Sequence, residues 1–374
     1  MSTPQALNIA KLLTPISEDN PSGLDIRDDP SPSSAYNQIK DARSAARAAE
    51  RNSLFDGDSS EAHSNWQKIL ELAPQIISEQ AKDLEVAAWY TEALIRKQGF
   101  HGLRGGITLI RELIEQYWDN LYPAPDEDGL ETRVAPLTGL NGEGAEGVLI
   151  APIRNVAITE DFDPGPFTMW QYKQAREIQK IADVDARNEK TNKTGFSLSD
   201  IESVVSSSSS EFFIALRDDI STAVDEYRRI RELLDEHCGT HESPPTSNII
   251  NTLEETLSAI KHLAKLKLPD ESADEHSHNL EELETNDDDA TTPQSQSTAH
   301  SAGVVRTREE AFRQLTHLAD FFQKTEPHSP ISYAINRAIR WGNMPLEELM
   351  KELIPDANSR EHYTSLTGIE PGDN

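Results

Sequence analysis

Three glycines in the stretch GEGAEG have the spacing of a dinucleotide-binding loop. Gly142, Gly144 and Gly147 fit the pattern G-x-G-x-x-G. Such a loop holds a pyrophosphate when it follows a β-strand, opens a helix and precedes an acidic residue by about twenty positions. Here helical sequence precedes the glycines and an apolar run follows them, and Glu143 and Glu146 would repel a phosphate. The stretch therefore predicts a glycine-rich turn and no nucleotide cofactor.

A second candidate is the H-C-x-x-H stretch of His237, Cys238 and His241, which has residue types that bind metals. A structural metal takes four ligands, and no fourth is evident nearby. A histidine near the C-terminus of a helix is already favoured by the helix dipole. His276 and His278 lie among carboxylates in a polar run, where their proximity is incidental. We predict no metal site in either stretch.

Possible catalytic groups are also few. Asp126, Glu127 and Asp128 lie together in a loop, without an aromatic pocket signal around them. The sequence has no G-x-S-x-G motif, no P-loop and no Cys-His pair at a recognisable spacing. We therefore expect a protein that is not an enzyme, with an all-α metal-dependent hydrolase as a remote alternative.

The bulk composition narrows the partners. The chain has 374 residues, a formal net charge of -30 and one cysteine. Such a negative charge disfavours nucleic-acid backbones and anionic lipid surfaces, whereas basic protein surfaces remain possible partners. The N-terminus lacks the basic start and apolar core of a secretory signal, and no apolar run reaches membrane-spanning length. These features predict a cytoplasmic protein without membrane insertion.

Helical periodicity dominates the first part of the chain, and the expected fold class is all-α. Apolar residues recur at spacings of three and four in four stretches, with Gly99 ending the third and Pro123 stopping the fourth. The run VLIAPIRNVAI after the glycine-rich turn allows a short strand pair or an extended segment, although Pro152 limits any β-ladder. We predict an N-terminal helical domain over residues 1–165.

The middle of the chain, residues 166–268, predicts helices that include an antiparallel hairpin. Apolar positions keep strict 3-4 spacing before and after the stretch CGTHESPPT. Ser199 and Glu202 indicate a capping box, and the serine run 206–210 indicates a hinge. Residues 270–289 contain ten acidic residues and no lysine or arginine, so we expect 269–304 to be a disordered acidic linker.

The last part, residues 305–374, predicts a small helical domain. Thr307 and Glu310 indicate a capping box, and Ser329 with Pro330 starts the next helix. A module of this size is marginal alone, and oligomerisation is the usual remedy where disulfides and metals are absent. The predicted oligomerisation interface comprises Ile331, Ile335, Ile339, Trp341, Met344, Leu346, Leu349, Met350 and Leu353.

One aromatic cluster leaves two readings open. Tyr117, Trp118, Leu121 and Tyr122 lie at the end of the fourth helical stretch. They can pack into the core against other tryptophans, or they can form a partly exposed docking patch for a partner. Arg337 and Arg340 beside Trp341 likewise allow either intrachain stacking or an interface anchor.

Several stretches together resemble a known family. LLTPISEDNPSGLDIR, NWQKILELA, KDLEVAAWYTEALIRKQGFHGLRGGITLIRELIEQYWDNLYP and LNGEGAEGVLIAPIRNVAIT resemble the ImpA N-terminal domain of TssA proteins of the bacterial type VI secretion system. The tail FFQKTEPHSPISYAINRAIRWGNMPLEELMKELI resembles the C-terminal domain of the short TssA class. The middle hairpin and the acidic linker are not diagnostic.

The resemblance implies a cytoplasmic, non-enzymatic assembly scaffold without a cofactor. It implies that the C-terminal domain forms a homo-oligomeric ring, and that the N-terminal domain engages baseplate, tube, spike and sheath proteins. Members prime or coordinate tube and sheath polymerisation. Longer relatives carry a large C-terminal region that caps the sheath, so the length of this chain favours a baseplate-linked role. A monomeric or dimeric helical adaptor or chaperone is the main alternative.

Overall fold

The computed structural model describes residues 7–127, 129–239, 242–269, 308–325 and 330–344, with positions 349 and 352. The chain divides into two compact units, Met1–Glu284 and Thr285–Asn374. The described residues form α-helices, short 3-10 turns and isolated bridges, without a β-strand. The expected all-α fold class is therefore confirmed. No helix in these ranges has the length and apolarity that a membrane crossing needs.

Eleven of the described helices belong to the first unit. They are α1 (Ile9–Leu12), α2 (Ala35–Asp56), α3 (Ser60–Glu79), α4 (Leu84–Tyr117), α5 (Glu131–Asn141), α6 (Ile150–Asn155), α7 (Met169–Gln179), α8 (Val184–Thr194), α9 (Leu198–Ser207), α10 (Ser210–Cys238) and α11 (Ser247–Leu263). Two 3-10 turns, Ile26–Asp28 and Trp118–Asn120, flank this series near α2 and α4.

Helix α4 is broken at Gly99, which agrees with the prediction that Gly99 ends a helix. Gly99 has φ 60° and ψ −142°, a backbone conformation that residues with a Cβ rarely adopt. Beyond the break the chain folds back, so that an added Cβ at Gly102 would meet the carbonyl oxygen of Leu94 at 2.5 Å. Gly106 approaches Thr91 as closely. Glycine is thus required where the two segments of α4 pack together.

Helix α10 packs along α4 and joins α11 in the predicted hairpin. The apolar residues that recur at spacings of three and four on α10 are buried. A salt bridge of 2.5 Å joins Arg111 of α4 to Glu226 of α10. Arg104 and Asp219 form another at 3.0 Å. One continuous apolar core runs from Ile9 to Ala264, so residues on both sides of position 165 share it. The sequence-based boundary at 165 stays a prediction.

Two local expectations for the first unit were wrong, and a third is untested. The run after the glycine-rich turn forms α6, where Pro152 lies in the first turn and therefore costs no helical hydrogen bond. The capping box of α9 uses Ser197 and Asp200 instead of Ser199 and Glu202. The serine run separates α9 from α10, where Ser209 caps α10 and its backbone N–H donates to Glu160 at 2.6 Å; its role as a hinge stays a prediction.

The second unit contains α12 (Arg308–Thr325) and α13 (Pro330–Asn343). Arg308 donates to the carbonyl oxygen of Gly342, and an added Cβ at Gly342 would collide with Phe312. These contacts join the start of α12 to the end of α13, so the two helices are antiparallel. Pro330 opens α13 as predicted. The predicted linker (269–304) falls, apart from its first residue, outside the described residues, as do Thr307 and Ser329.

A candidate docking groove on the N-terminal helices

One face of α4 forms the floor of a long surface groove in the first unit. Glu85, Trp89, Glu92, Arg96 and Gly99 recur at spacings of three and four, so they lie along one side of the helix before its break. At 1.5 Å per residue this floor is about 20 Å long. Two cavities, of about 540 Å³ and 580 Å³, lie along it.

The walls of the groove come from distant parts of the sequence. Helix α2 supplies one wall through Tyr36, Arg43, Glu50 and Ser53. The opposite wall comes from the segment after α4, from α5 and from α6, with these lining residues: Pro123, Ala124, Thr132, Ala135, Pro136, Gly139, Leu140, Ala151, Pro152, Asn155 and Val156. The groove is thus a cleft between packed helices, with a largely apolar wall facing a polar one.

Arg27 crosslinks the elements at one end of the groove. Its guanidinium lies 2.6 Å from the buried carboxylate of Asp83 and 2.6 Å from Glu85. It also lies over the ring of Tyr36, whose hydroxyl donates to Glu85 at 3.1 Å. Burial is the largest of the effects that raise the pKa of Tyr36, and Glu85 adds to it. The 3-10 turn, α2 and α4 are therefore held by one polar network.

A second network lies further along the floor. Arg43 contacts one carboxylate oxygen of the fully buried Glu92 at 2.6 Å and lies over the ring of Trp89. The other oxygen of Glu92 has no hydrogen-bond partner among the described residues. Arg96 pairs with Glu50 at 2.6 Å and donates to the Glu92 backbone carbonyl.

Aromatic rings complete the groove at the same end. Tyr36 stacks on Trp89 with ring centroids 5.8 Å apart, and Tyr36 is only half-buried. Aromatic faces beside guanidinium groups are frequent at surfaces that bind peptides. The groove therefore has the composition of a protein-docking site. Among the described residues, no group of three or more His, Cys, Asp or Glu is placed to hold a metal ion.

The predicted aromatic patch lies elsewhere and is mostly packed into the first unit. Tyr117 and Leu121 are buried, whereas Trp118 and Tyr122 are half-buried. Trp118 stacks on His237 at 4.4 Å between centroids, and the Tyr122 hydroxyl donates to the carbonyl oxygen of Gly23 at 3.2 Å. Docking at Trp118 and Tyr122 stays a prediction.

The two motifs considered for cofactors have structural roles where they are described. Asn141, at the start of the glycine-rich turn, is fully buried, and its Oδ1 accepts from the backbone N–H of Ile249 at 3.0 Å. The turn thereby supports the first turn of α11. His237 stacks on Trp118, and burial raises the pKa of the neighbouring Cys238 thiol. His241 lies outside the described residues.

The predicted interface on the second unit is partly described. Ile331 is 42% exposed, and Ile335, Ile339, Trp341, Met344 and Leu349 are half-buried. Arg337 lies over the Trp341 ring at 4.7 Å, which is the intrachain stacking considered from the sequence. Leu346, Met350 and Leu353 lie outside the described residues.

Sequence reasoning missed the groove. The apolar periodicity of α2 indicates only its inward face, although the sequence also shows Lys40, Arg43, Arg47 and Arg51 at helical spacing. That basic face was the available signal. The residues that form the groove together with this basic face, Trp89 and Glu92 among them, lie on another helix. They could not be assigned from α2 alone.

Comparisons with known proteins agree with this architecture. The family described as ImpA, N-terminal, type VI secretion system matches residues 13–142, which include most of the groove. The type VI secretion system component TssA1 of Pseudomonas aeruginosa is 24% identical over 370 residues, covering 97% of this chain and 99% of that protein.

A solved structure shows the same fold. It is the N-terminal domain, including the conserved ImpA_N region, of the TssA component from Burkholderia cenocepacia. It aligns with a TM-score of 0.58 at 24% identity, covering 70% of this chain and 94% of that structure. The helical architecture, the matched N-terminal region and the full-length relative agree with one another. Residues 13–142 match the ImpA N-terminal family of the type VI secretion system, and the chain as a whole is similar to a TssA component of that system.

Proposed function

We propose that this protein is a non-enzymatic scaffold that forms a homo-oligomeric ring through its C-terminal unit. In this proposal the ring works in the cytoplasm, contacts the baseplate, and helps to prime or coordinate tube and sheath polymerisation. The N-terminal unit engages the secretion components, and the acidic segment between the units tethers it to the ring. The similarity to a relative named as a type VI secretion system component supports a role in that system.

The observation that supports self-assembly is the solvent exposure of large apolar side chains in the second unit. Among its described residues only Ala319 and Ser332 are buried. Four large apolar side chains are 42% to 66% exposed, namely Leu318, Phe321, Ile331 and Tyr333. Because α12 and α13 are antiparallel, all four lie toward the end of the hairpin where the helices are connected. Exposed apolar clusters of this kind favour association.

A second copy of the chain is the partner that suits these exposed side chains best. A domain of this size is marginal in stability by itself, and several copies in a closed ring each bury further apolar area. A ring also presents many N-terminal units at once, so that weak contacts with a repetitive partner add up through effective concentration.

The test is the mass of the full-length chain by light scattering. The wild-type protein is expected to have a mass that is a fixed multiple of 41.6 kDa. Phe321→Glu with Tyr333→Glu is expected to lower it, because both side chains are already exposed in one chain and the substitutions need not unfold it. The matched control is the exposed Gln323→Glu on α12.

Three results would contradict the proposal. A monomeric wild-type chain would favour the adaptor or chaperone alternative. An unchanged mass in the double variant would place self-association elsewhere. A bound metal detected by elemental analysis, together with turnover of a substrate, would instead favour the hydrolase alternative.

A further inference from the structure

A basic stripe borders the groove on α2 and has an excess of cations. We define it as Lys40, Arg43, Arg47 and Arg51, which recur at spacings of three and four. Arg43 is paired with Glu92. Lys40, Arg47 and Arg51 form no ion pair with any described residue, although the chain as a whole carries a net charge of -30. An unpaired basic stripe on so acidic a protein favours an anionic ligand.

Arg47 is surrounded by more cations than carboxylates. Burial is the main cause that lowers the pKa of Arg47, and repulsion from Arg43, Arg96 and Arg51 adds to the effect against the attraction of Glu92. A carboxylate brought beside Arg47 would relieve that repulsion. Lys40 lies 5.6 Å from the centre of the Tyr36 ring, so an anion there would also meet an aromatic face.

The groove offers apolar contacts next to these cations. Half-buried Tyr36 stacks on the buried Trp89, and half-buried Pro136 and buried Leu140 line the same cavity. A suitable ligand therefore combines carboxylates with a few aliphatic side chains at helical or extended spacing.

A segment of this chain has that composition. Residues 270–289 contain ten acidic residues and no lysine or arginine. Leu280 and Leu283 are the only large apolar residues between positions 270 and 303, and Glu281, Glu282 and Glu284 flank them. The segment thus presents two leucines, three positions apart, among carboxylates.

The segment starts within reach of the groove. Helix α11 precedes it and is about 26 Å long at 1.5 Å per residue. The first turn of α11 is bonded to Asn141, next to Gly139 and Leu140 in the groove wall. Eleven residues from position 269 to 280 can span about 36 Å, which exceeds the length of the helix.

We propose that the acidic segment around Leu280 and Leu283 binds in the α2–α4 groove, with its carboxylates on the basic stripe and its leucines on the Tyr36–Trp89 end. The groove belongs to the same chain or to a neighbouring copy. The chain thereby carries its own ligand for the surface with which it would dock partners, and a partner must compete with it. The proposal does not depend on the ring.

The experiment is photo-crosslinking in the full-length protein, with benzoylphenylalanine replacing Leu280. Crosslinks mapped by mass spectrometry are expected within residues 35–56 or 84–99. Lys40→Ala with Arg47→Ala is expected to reduce their yield about fivefold, and about 0.5 M salt should do the same, because the ligand is held by exposed charges. Lys190→Ala with Lys193→Ala, two exposed lysines on α8, is the matched control.

Each other outcome overturns the proposal. Crosslinks that map outside the groove identify another site for the segment. An absence of crosslinks, or a yield unchanged by the loss of Lys40 and Arg47, shows that the segment does not bind there and leaves the groove to a separate protein. Circular dichroism of each variant checks that the fold is retained, and the photoprobe at the fully exposed Leu266 provides the background yield.

Discussion

Arg27 and Asp83 are 56 positions apart in sequence, yet the guanidinium of one lies 2.6 Å from the carboxylate of the other. Asp83 is fully buried, and its other oxygen accepts from the backbone N–H of Val86 at 2.9 Å. One carboxylate therefore caps α4 and fastens the N-terminal 3-10 turn to it.

Removing the cation should destabilise the protein strongly. Arg27→Ala leaves Asp83 buried without its partner, and we expect the free energy of unfolding to fall by about 3 kcal/mol. Urea denaturation measures it, with the exposed Arg51→Ala as control. Asp83→Asn keeps the cap acceptor, so the double variant should lose less than the two single variants added together. Strict additivity would show that the pair is not coupled.

The break in α4 predicts a glycine requirement. Gly99→Ala forces a Cβ into a backbone conformation with φ 60° and toward the side chain of Val156 at 3.1 Å, so we expect a loss of about 2 kcal/mol or more. Gly139 lies within α5 with open space around it. Gly139→Ala should therefore leave stability unchanged or raise it by up to about 1 kcal/mol. Equal effects in thermal unfolding would refute the argument.

Lys82 predicts a distinctive pH dependence. Its side chain is fully buried and forms no ion pair with a described residue, and its Nζ donates to the carbonyl oxygens of Leu12 and Ile77 at 2.8 Å each. Burial lowers the pKa of Lys82 to about 8, from an ordinary value of 10.5. Between these values the unfolded chain binds more protons than the folded one, so this residue's contribution to stability increases with pH.

The comparison of wild type with Lys82→Met isolates that contribution. From pH 7 to pH 10 the free energy of unfolding of the wild type should rise relative to the variant by roughly 2 kcal/mol. Taking the difference cancels the titration of groups common to both proteins. A difference that stays flat with pH would mean that Lys82 titrates normally.

Asn141 predicts a local effect on α11. Asn141→Ala removes the acceptor for the Ile249 N–H and should lower the free energy of unfolding by about 1 kcal/mol. Hydrogen exchange at the first turn of α11 should accelerate more than exchange at its end. Asn251→Ala, an exposed position on the same helix, is the control. Uniform acceleration along α11 would contradict a capping role.

The sequence was sufficient to predict those helices whose apolar residues recur with strong periodicity. The stripes in α2, α3, α4, α10 and α11 are regular, because each helix buries one face against the same core. Helix α5 was missed, since Pro136 and Gly139 are typical of turns and its burial comes from tertiary contacts. Periodicity gives a helix's inward face but not its neighbours. The groove, whose walls span positions 25 to 157, was therefore beyond prediction.

The ion pairs that line the groove also determine its width. Arg43 to Glu92 and Arg96 to Glu50 each join α2 to α4, and Arg27 ties the N-terminal turn to α4 at the end. A guest too bulky for the cleft could enter only by separating charges that are mostly shielded from water. The contacts that hold these helices together therefore limit the width of a ligand that can bind, whatever specific contacts its side chains could make.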